Sequence, residues 1–248
     1  MKRCRGGVLT LLVWGCAAAG GAWGQGTVDR DPAATVDARC TEVLAALNRD
    51  LAARRAEAFL AASGYYESGE CVGRSDARAL EFLAQAARSG SAQAVRRLSR
   101  RFALGQGVPQ SYSNAGAWLA GKGASNEALV PWDYSIGYAF AVLSEVLASV
   151  KYPEGALRGA TEAVFVLEID ALRAGQIYLR PTAEGSDPKA ELYAALAAAF
   201  NARLPDVVKA LMAPDPQLLV TARVAMPVAL RFKSAGAIDV LEDEPILK

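Results

Sequence analysis

The sequence contains no histidine. That absence excludes every nucleophile that relies on an imidazole base, the Ser-His-Asp and Cys-His arrangements alike. It also excludes zinc sites with histidine ligands, and it leaves no side chain whose ordinary pKa lies near neutrality. An excess of one charge is missing too: 27 basic and 26 acidic residues give a net charge of +1 over 248 residues. No overall field draws such a chain to nucleic acid or anionic lipid, so no nucleic-acid partner is expected. The arginine clusters at Arg54-Arg55 and at Arg96-Arg97 with Arg100-Arg101 lie on helical patterns and read as solvated faces. Apolar content is ample at 52%, enough for buried cores, and the length suits one large domain or two small ones.

Cysteine is scarce, four in all. Lys2, Arg3 and Arg5 precede an apolar run that begins at Val8, and Ala22-Trp23-Gly24 places small residues where a signal peptidase needs them. Residues 1–24 therefore read as a signal peptide cleaved before Gln25. An uncleaved inner-membrane anchor is the second reading, and a lipoprotein signal at Cys16 the third. Cleavage removes Cys4 and Cys16 and leaves Cys40 and Cys71, an even number in an oxidising compartment, the periplasm. A Cys40–Cys71 bridge closes a loop of roughly 30 residues and stabilises by about 3 to 4 kcal/mol in the chain-entropy model. Two cysteines alone do not make a structural metal site, so no metal and no cofactor are expected.

After a polar linker at residues 25–36, residues 37–63 are helical by composition, and Gly64 is expected to end or interrupt that run. The chain then repeats itself. Ala58 matches Ala94, Tyr66 matches Phe102, Gly69 matches Gly105, Val72 matches Val108, Ala79 matches Ala115 and Phe82 matches Trp118, each pair 36 positions apart. Each unit reads helix, glycine turn, helix. The small residues let helices approach, the aromatics fill the space between them, and the glycines supply the bend. A further helical pattern at residues 134–150 carries Ile136, Phe140, Leu143 and Leu147 on one face.

These residues resemble the SEL-one-like (SLR) repeat family, relatives of the tetratricopeptide repeats. Phe102, Gly105, Gly107, Val108, Pro109, Ala115 and Trp118 follow that family's pattern, as do Gly69, Val72, Asp76, Ala79, Phe82, Ala86, Ala87 and Gly90. Cys71 stands where the second glycine is usual. The resemblance covers about residues 54–124 and implies an interaction scaffold. The helical region is set at residues 37–150.

Beyond Tyr152 the hydrophobic period changes to two. Phe165, Leu167 and Ile169 form one strand, and Ile177, Tyr178 and Leu179 a second, joined in a hairpin. Asp187-Pro188 starts a helix with Leu192, Leu196 and Phe200 on its apolar face, and Pro205 is expected to break it. Val220 to Phe232 alternate as a third strand, where Pro227 argues for an edge or a bulge. With Tyr152, Pro153, Gly159, Gly175, Pro227, Val228 and Phe232, this order resembles the TonB C-terminal domain over residues 151–233. It departs in lacking Ser-Ser-Gly after the second strand and in placing three residues between Val228 and Phe232. The expected fold is thus α + (α+β): a short helical repeat region, then a small three-stranded antiparallel sheet with helices, then a tail at residues 234–248.

The reading that follows is an exported, non-catalytic module of a Gram-negative envelope that binds other envelope proteins, by its helices or by strand addition to the sheet. The mature chain has no membrane span unless the signal stays uncleaved. The alternative is a TonB-type energy transducer acting on outer-membrane receptors. That role requires an anchored helix, usually with a coupling histidine, and a long linker; the histidine is absent and the linker short. A second alternative is a cysteine-containing SLR protein with β-lactam-related activity. Ser186-Asp187-Pro188-Lys189 is its sole motif, without Ser-Asp-Asn or Lys-Thr-Gly companions, and helix capping accounts for it. No catalytic residue is assigned. Arg173, Gln176 and Tyr193 read as ordinary exposed positions, and Trp118 and Trp132 as core aromatics.

Overall fold

The computed structural model describes residues 38–123, 130–151, 163–182, 189–232, 238–241 and 246–247. The proposed signal and linker lie outside these residues, as do Tyr152, Pro153 and Gly159 of the TonB-like pattern and Ser186-Asp187-Pro188. The described chain is mostly helical with a small antiparallel sheet, an α+β combination.

The helices are α1 (Ala38–Ala52), α2 (Ala56–Ser68), α3 (Asp76–Arg88), α4 (Ala92–Leu104), α5 (Tyr112–Leu119) and α6 (Pro131–Ser149). The first break falls at residues 53–55, not at the expected Gly64, which lies inside α2 with open space where a Cβ would stand. Arg54 takes a left-handed φ of 55°. The amide of Arg55 donates to the carbonyl of Asp50, closing α1 as a glycine-type terminus would. No glycine or proline announces this stop.

The 36-residue period is carried in the backbone. α2 and α4 begin at Ala56 and Ala92 and end at Ser68 and Leu104. Gly69 and Gly105 have φ of 75° and 70°, while Cys71 and Gly107 have φ of 64° and 73°. The amides of Ser75 and Ser111 donate to the carbonyls of Tyr66 and Phe102, and each serine hydroxyl then caps the next helix. Both turns make the same left-handed bends, so a glycine is expected at each bend, and Cys71 is the exception. Cys71 is instead bridged to Cys40 of α1, with Cα atoms 5.1 Å apart.

Helix α6 is buried on nearly every side, from Asp133 to Ser144 without a break. It packs so closely on α5 that a Cβ on Gly116 would collide with the carbonyl oxygen of Asp133, and one on Gly137 with that of Tyr112. These two glycines set the helix spacing.

The sheet comprises β1 (Ala163–Asp170), β2 (Tyr178–Pro181), β3 (Arg223–Phe232), β4 (Ile238–Leu241) and β5 (Ile246–Leu247), in the order β2-β1-β3-β4 with β5 also on β3. The three expected strands form the antiparallel β2-β1-β3 sheet, and the tail adds two short strands, β4 and β5, on β3. Helix α7 (Ala190–Ala210) runs straight through Pro205 rather than breaking there. Leu204 and Val207 on either side of Pro205 are buried, and their packing outweighs the lost backbone hydrogen bond. The β1–β3 register is unbroken, with Phe165 opposite Val228, Leu167 opposite Met226 and Ile169 opposite Val224.

Two hydrophobic clusters result. One joins α1 to α4 and includes Trp118. The other joins α5 and α6 to the sheet and α7. The segment after α7 is strapped onto α5 and α6 by polar contacts. Tyr112 donates to the carbonyl of Met212 at 2.8 Å. Tyr134 accepts from the amide of Asp215 at 2.7 Å, and Ser135 from that of Val220 at 2.8 Å.

Candidate functional site

The sheet edge comes first, because an unpaired strand is a template for another. Thr182 donates to the carbonyl of Val164, which continues the β1–β2 register by one pair. Antiparallel pairing alternates, so Tyr178 and Arg180 face β1 while Ile177, Leu179 and Pro181 face outward. The outward groups of Ile177 are both taken by Asn201 of α7, which accepts from its amide at 2.8 Å and donates to its carbonyl at 3.0 Å. Pro181 has no N–H. Only Leu179 therefore presents a full outward donor and acceptor untouched by these devices. On the far side of the sheet, Pro227 points outward between β4 and β5, where the pairing register shifts by one residue. The geometry blunts the β2 edge, while Pro227 lies on the interior strand β3 and β4 forms the opposite edge of the sheet.

The helices offer a broader surface. Glu67 of α2 pairs with Arg97 and Arg101 of α4, each at 2.5 Å, and Ser63 donates to the same carboxylate at 3.3 Å. Arg100 of α4 reaches Glu145 of α6 at 3.3 Å. The first helices of successive units are thus joined by an ionic row. Arg54 and Arg55 are exposed as their pattern suggested, but the α4 cluster is not wholly a solvated face: Arg96 is buried, and the Arg101 side chain is only 16% exposed. Partly buried charges of this kind are held by pairing, and removing a partner costs more than at a free surface. The row runs into an open groove of about 510 Å³ between α4, α6 and α7. Its apolar floor includes Leu104 and Val207, and its rim carries Glu145, Arg203 and Asp206.

Most residues of the repeat signature serve the fold. Val72, Ala79, Phe82, Ala115 and Trp118 are buried, and Gly69, Gly105 and Gly107 form the turns, with Val108 half-buried beside them. They do not converge on one site. Gly175 lies in the hairpin turn, Val228 in the core, and Pro227 and Phe232 along β3. Arg173 and Gln176 are exposed. Tyr193 is not: it packs edge-on to Phe165, and its hydroxyl donates to the carbonyl of Val164. Trp132 is 37% exposed rather than a core ring.

Titration is perturbed at two phenols. Burial pushes the Tyr112 hydroxyl well above its ordinary value, with Tyr138 and Tyr134 adding to the effect. Burial raises Tyr138 as well, with Tyr134 contributing. Both changes keep a phenol neutral, which suits a structural hydrogen bond better than proton transfer near neutral pH. Among the described residues no group of three or more His, Cys, Asp or Glu is placed to hold a metal ion, and no helix is long and apolar enough to cross a membrane. The ion-paired row, its groove and the Asn201 clamp are what sequence reasoning missed. The clustered arginines on a helix that also carries apolar residues were the available signal for the first. No family model matches the chain, and no curated protein and no solved structure matches it either.

Proposed function

We propose that the chain is an exported interaction module of a Gram-negative cell envelope, working in the periplasm without catalysis and holding partner proteins against its helical repeat surface. The observation that carries this reading is the repeated helix–turn–helix, whose first helices share one ionic row leading into an open groove. A solenoid-like face of this kind recognises by shape and charge over a wide area. The SLR-like repeat pattern and the TonB-like order of strands point the same way. Export is supported by the signal-like N-terminus and by the bridge between the two cysteines that outlast cleavage. The Asn201 clamp on the β2 side favours the helices over strand addition at that edge.

The test is crosslinking of the full chain, tagged at its C-terminus, in living Gram-negative cells, with partners identified by mass spectrometry. A mature chain beginning at Gln25 and joined to soluble or peptidoglycan-associated envelope proteins is the expected result. An intact N-terminus, with crosslinks to inner-membrane motor proteins and outer-membrane barrels, would replace this reading with an energy transducer.

A further inference from the structure

Helix α1 keeps the phase of the repeat without belonging to a whole unit. It ends at Ala52, α3 ends at the matching position Arg88, and Arg54 takes the left-handed φ that Gly90 takes after α3. It thus stands where the second helix of a preceding unit would stand. The equivalent helices are held from two sides, α3 by α2 and α4, and α5 by α4 and α6. Among the described elements α1 has one substantial neighbour, α2. Leu44, Leu47 and Leu51 bury one stripe of α1 in the cluster it shares with α2. The pair of Arg39 with Glu70, at 3.8 Å, is exposed on both sides and adds little. The covalent tie is the bridge from Cys40, in the first turn of α1, to Cys71.

That bridge is not what shapes its own turn. Gly107 makes the equivalent bend with no cross-link, at a φ of 73° against 64° for Cys71. A residue with a Cβ holds this conformation less readily than glycine, so the cysteine is kept there at a conformational cost, and its effect is to hold α1. Neither cysteine is buried, so a small thiol can reach the bond. Strained or exposed disulfides are the ones most open to exchange. We propose that the Cys40–Cys71 bridge is a redox-operated latch, which a dithiol reductant opens so that α1 lifts from α2 and bares its leucine stripe. A thiolate of the reductant attacks one sulfur of the bridge, forming a mixed disulfide and releasing the other cysteine as a thiolate that takes up a proton. The second thiol of the reductant then displaces the first cysteine, and the reductant leaves as its own disulfide. Two electrons and two protons pass to the chain. Opening the latch requires no partner, so it stands apart from the adaptor reading.

Hydrogen exchange read by mass spectrometry tests the latch on the purified full mature chain, oxidised, then reduced with dithiothreitol, then reoxidised. Reduction should speed exchange at the amides of residues 42–52 by about tenfold or more, leave α3, α5 and α6 unchanged, and reverse on reoxidation. Cys71→Gly removes the bridge and gives the first turn the glycine of the second. In that variant α1 should exchange as it does in the reduced chain, although the turn itself is relaxed. Cys40→Ser decides the matter if Cys71→Gly does not fold. Three results overturn the latch: an α1 that stays protected after reduction or in a folded variant, a bridge that dithiothreitol opens only in urea, and an α3 that loosens together with α1. The last would make the bridge a general staple of the first unit. The crosslinking experiment bears on the adaptor alone: a chain that recovers no partner loses that reading and keeps its latch if α1 responds to reduction.

Discussion

The first repeat unit and the second share helix starts and turns but are secured by different means. The first is closed from the N-terminal side: α1 packs on it, the Cys40–Cys71 bridge ties α1 to its turn, and Phe59, Phe82 and Tyr66 fill it with stacked rings. The second is closed from the C-terminal side. Its α5 lies against α6 at glycine distance, and Tyr112 reaches across to the segment beyond α7. Two units are few for a free-standing solenoid, and here each borrows a different neighbour. A repeat's pattern thus specifies its backbone, while its stability depends on what is packed against its ends.

That contrast can be broken most forcefully at the α5–α6 contact. Gly137→Ala should destabilise by about 3 kcal/mol or more, because backbone rather than side chain must move. Gly64→Ala, in open space inside α2, should instead stabilise by up to about 1 kcal/mol. Urea midpoints for the two variants test the pair, and a shift in the same direction for both refutes the packing account.

The next effect belongs to the first unit. Cys40→Ser should cost about 3 kcal/mol by freeing the loop. Cys71→Gly also breaks the bridge but relieves a left-handed residue, so it should be more stable than Cys40→Ser by about 1 kcal/mol. Chemical unfolding of both variants under reducing conditions isolates that difference.

A third test lies on the C-terminal side. Asn201→Ala leaves the Ile177 amide and carbonyl unmet and should cost about 2 kcal/mol. It also reopens the β2 edge, so concentration-dependent association by light scattering should rise; an unchanged monomer would mean that the edge is closed by other means.

High pH loads the α5–α6 contact. A phenol whose folded pKa is raised favours the protonated state on folding. Its contribution is complete below the unfolded value of about 10 and is lost as pH climbs above it, by up to about 1.4 kcal/mol per pH unit for each such group. Tyr112→Phe should flatten that slope between pH 9 and 11 in urea titrations at roughly unit pH steps, while its lost hydrogen bond costs about 1 kcal/mol at neutral pH. The smallest expected change is Arg54→Gly, which should stabilise the α1–α2 junction by about 1 kcal/mol in thermal unfolding.

Several turns and helix contacts were legible because the residues that make them have a job that sequence chemistry exposes. Gly105 and Gly107 mark left-handed bends, Ala79 and Ala115 mark close contacts, and Phe82 and Trp118 are the rings between helices. The strands were legible from their alternation, and their faces fall as that alternation requires. The α1–α2 break was not, since Arg54 enters the left-handed region with no glycine to announce it. Pro205 misled for the opposite reason: burial of its neighbours carries α7 through a residue that local propensity would stop at. Asn201 was invisible because a polar residue within a helix reads as a solvated one, and only the tertiary arrangement brings it to a strand edge. The ionic row was concealed likewise, because Glu67 and Glu145 are far from α4 in sequence.

The disulfide also governs how the chain would respond to being pulled. Tension entering from the N-terminal side reaches Cys40, crosses the bridge and leaves at Cys71, so α2 lies on a side loop that carries no load. A span of 31 residues is thereby withheld from extension, roughly 110 Å of extended chain. Force would pass straight into α3, and the chain would yield in the second unit and beyond while α2 kept its place. Reduction would restore the missing length, which makes oxidation state the setting for how far this module can stretch before it lets go.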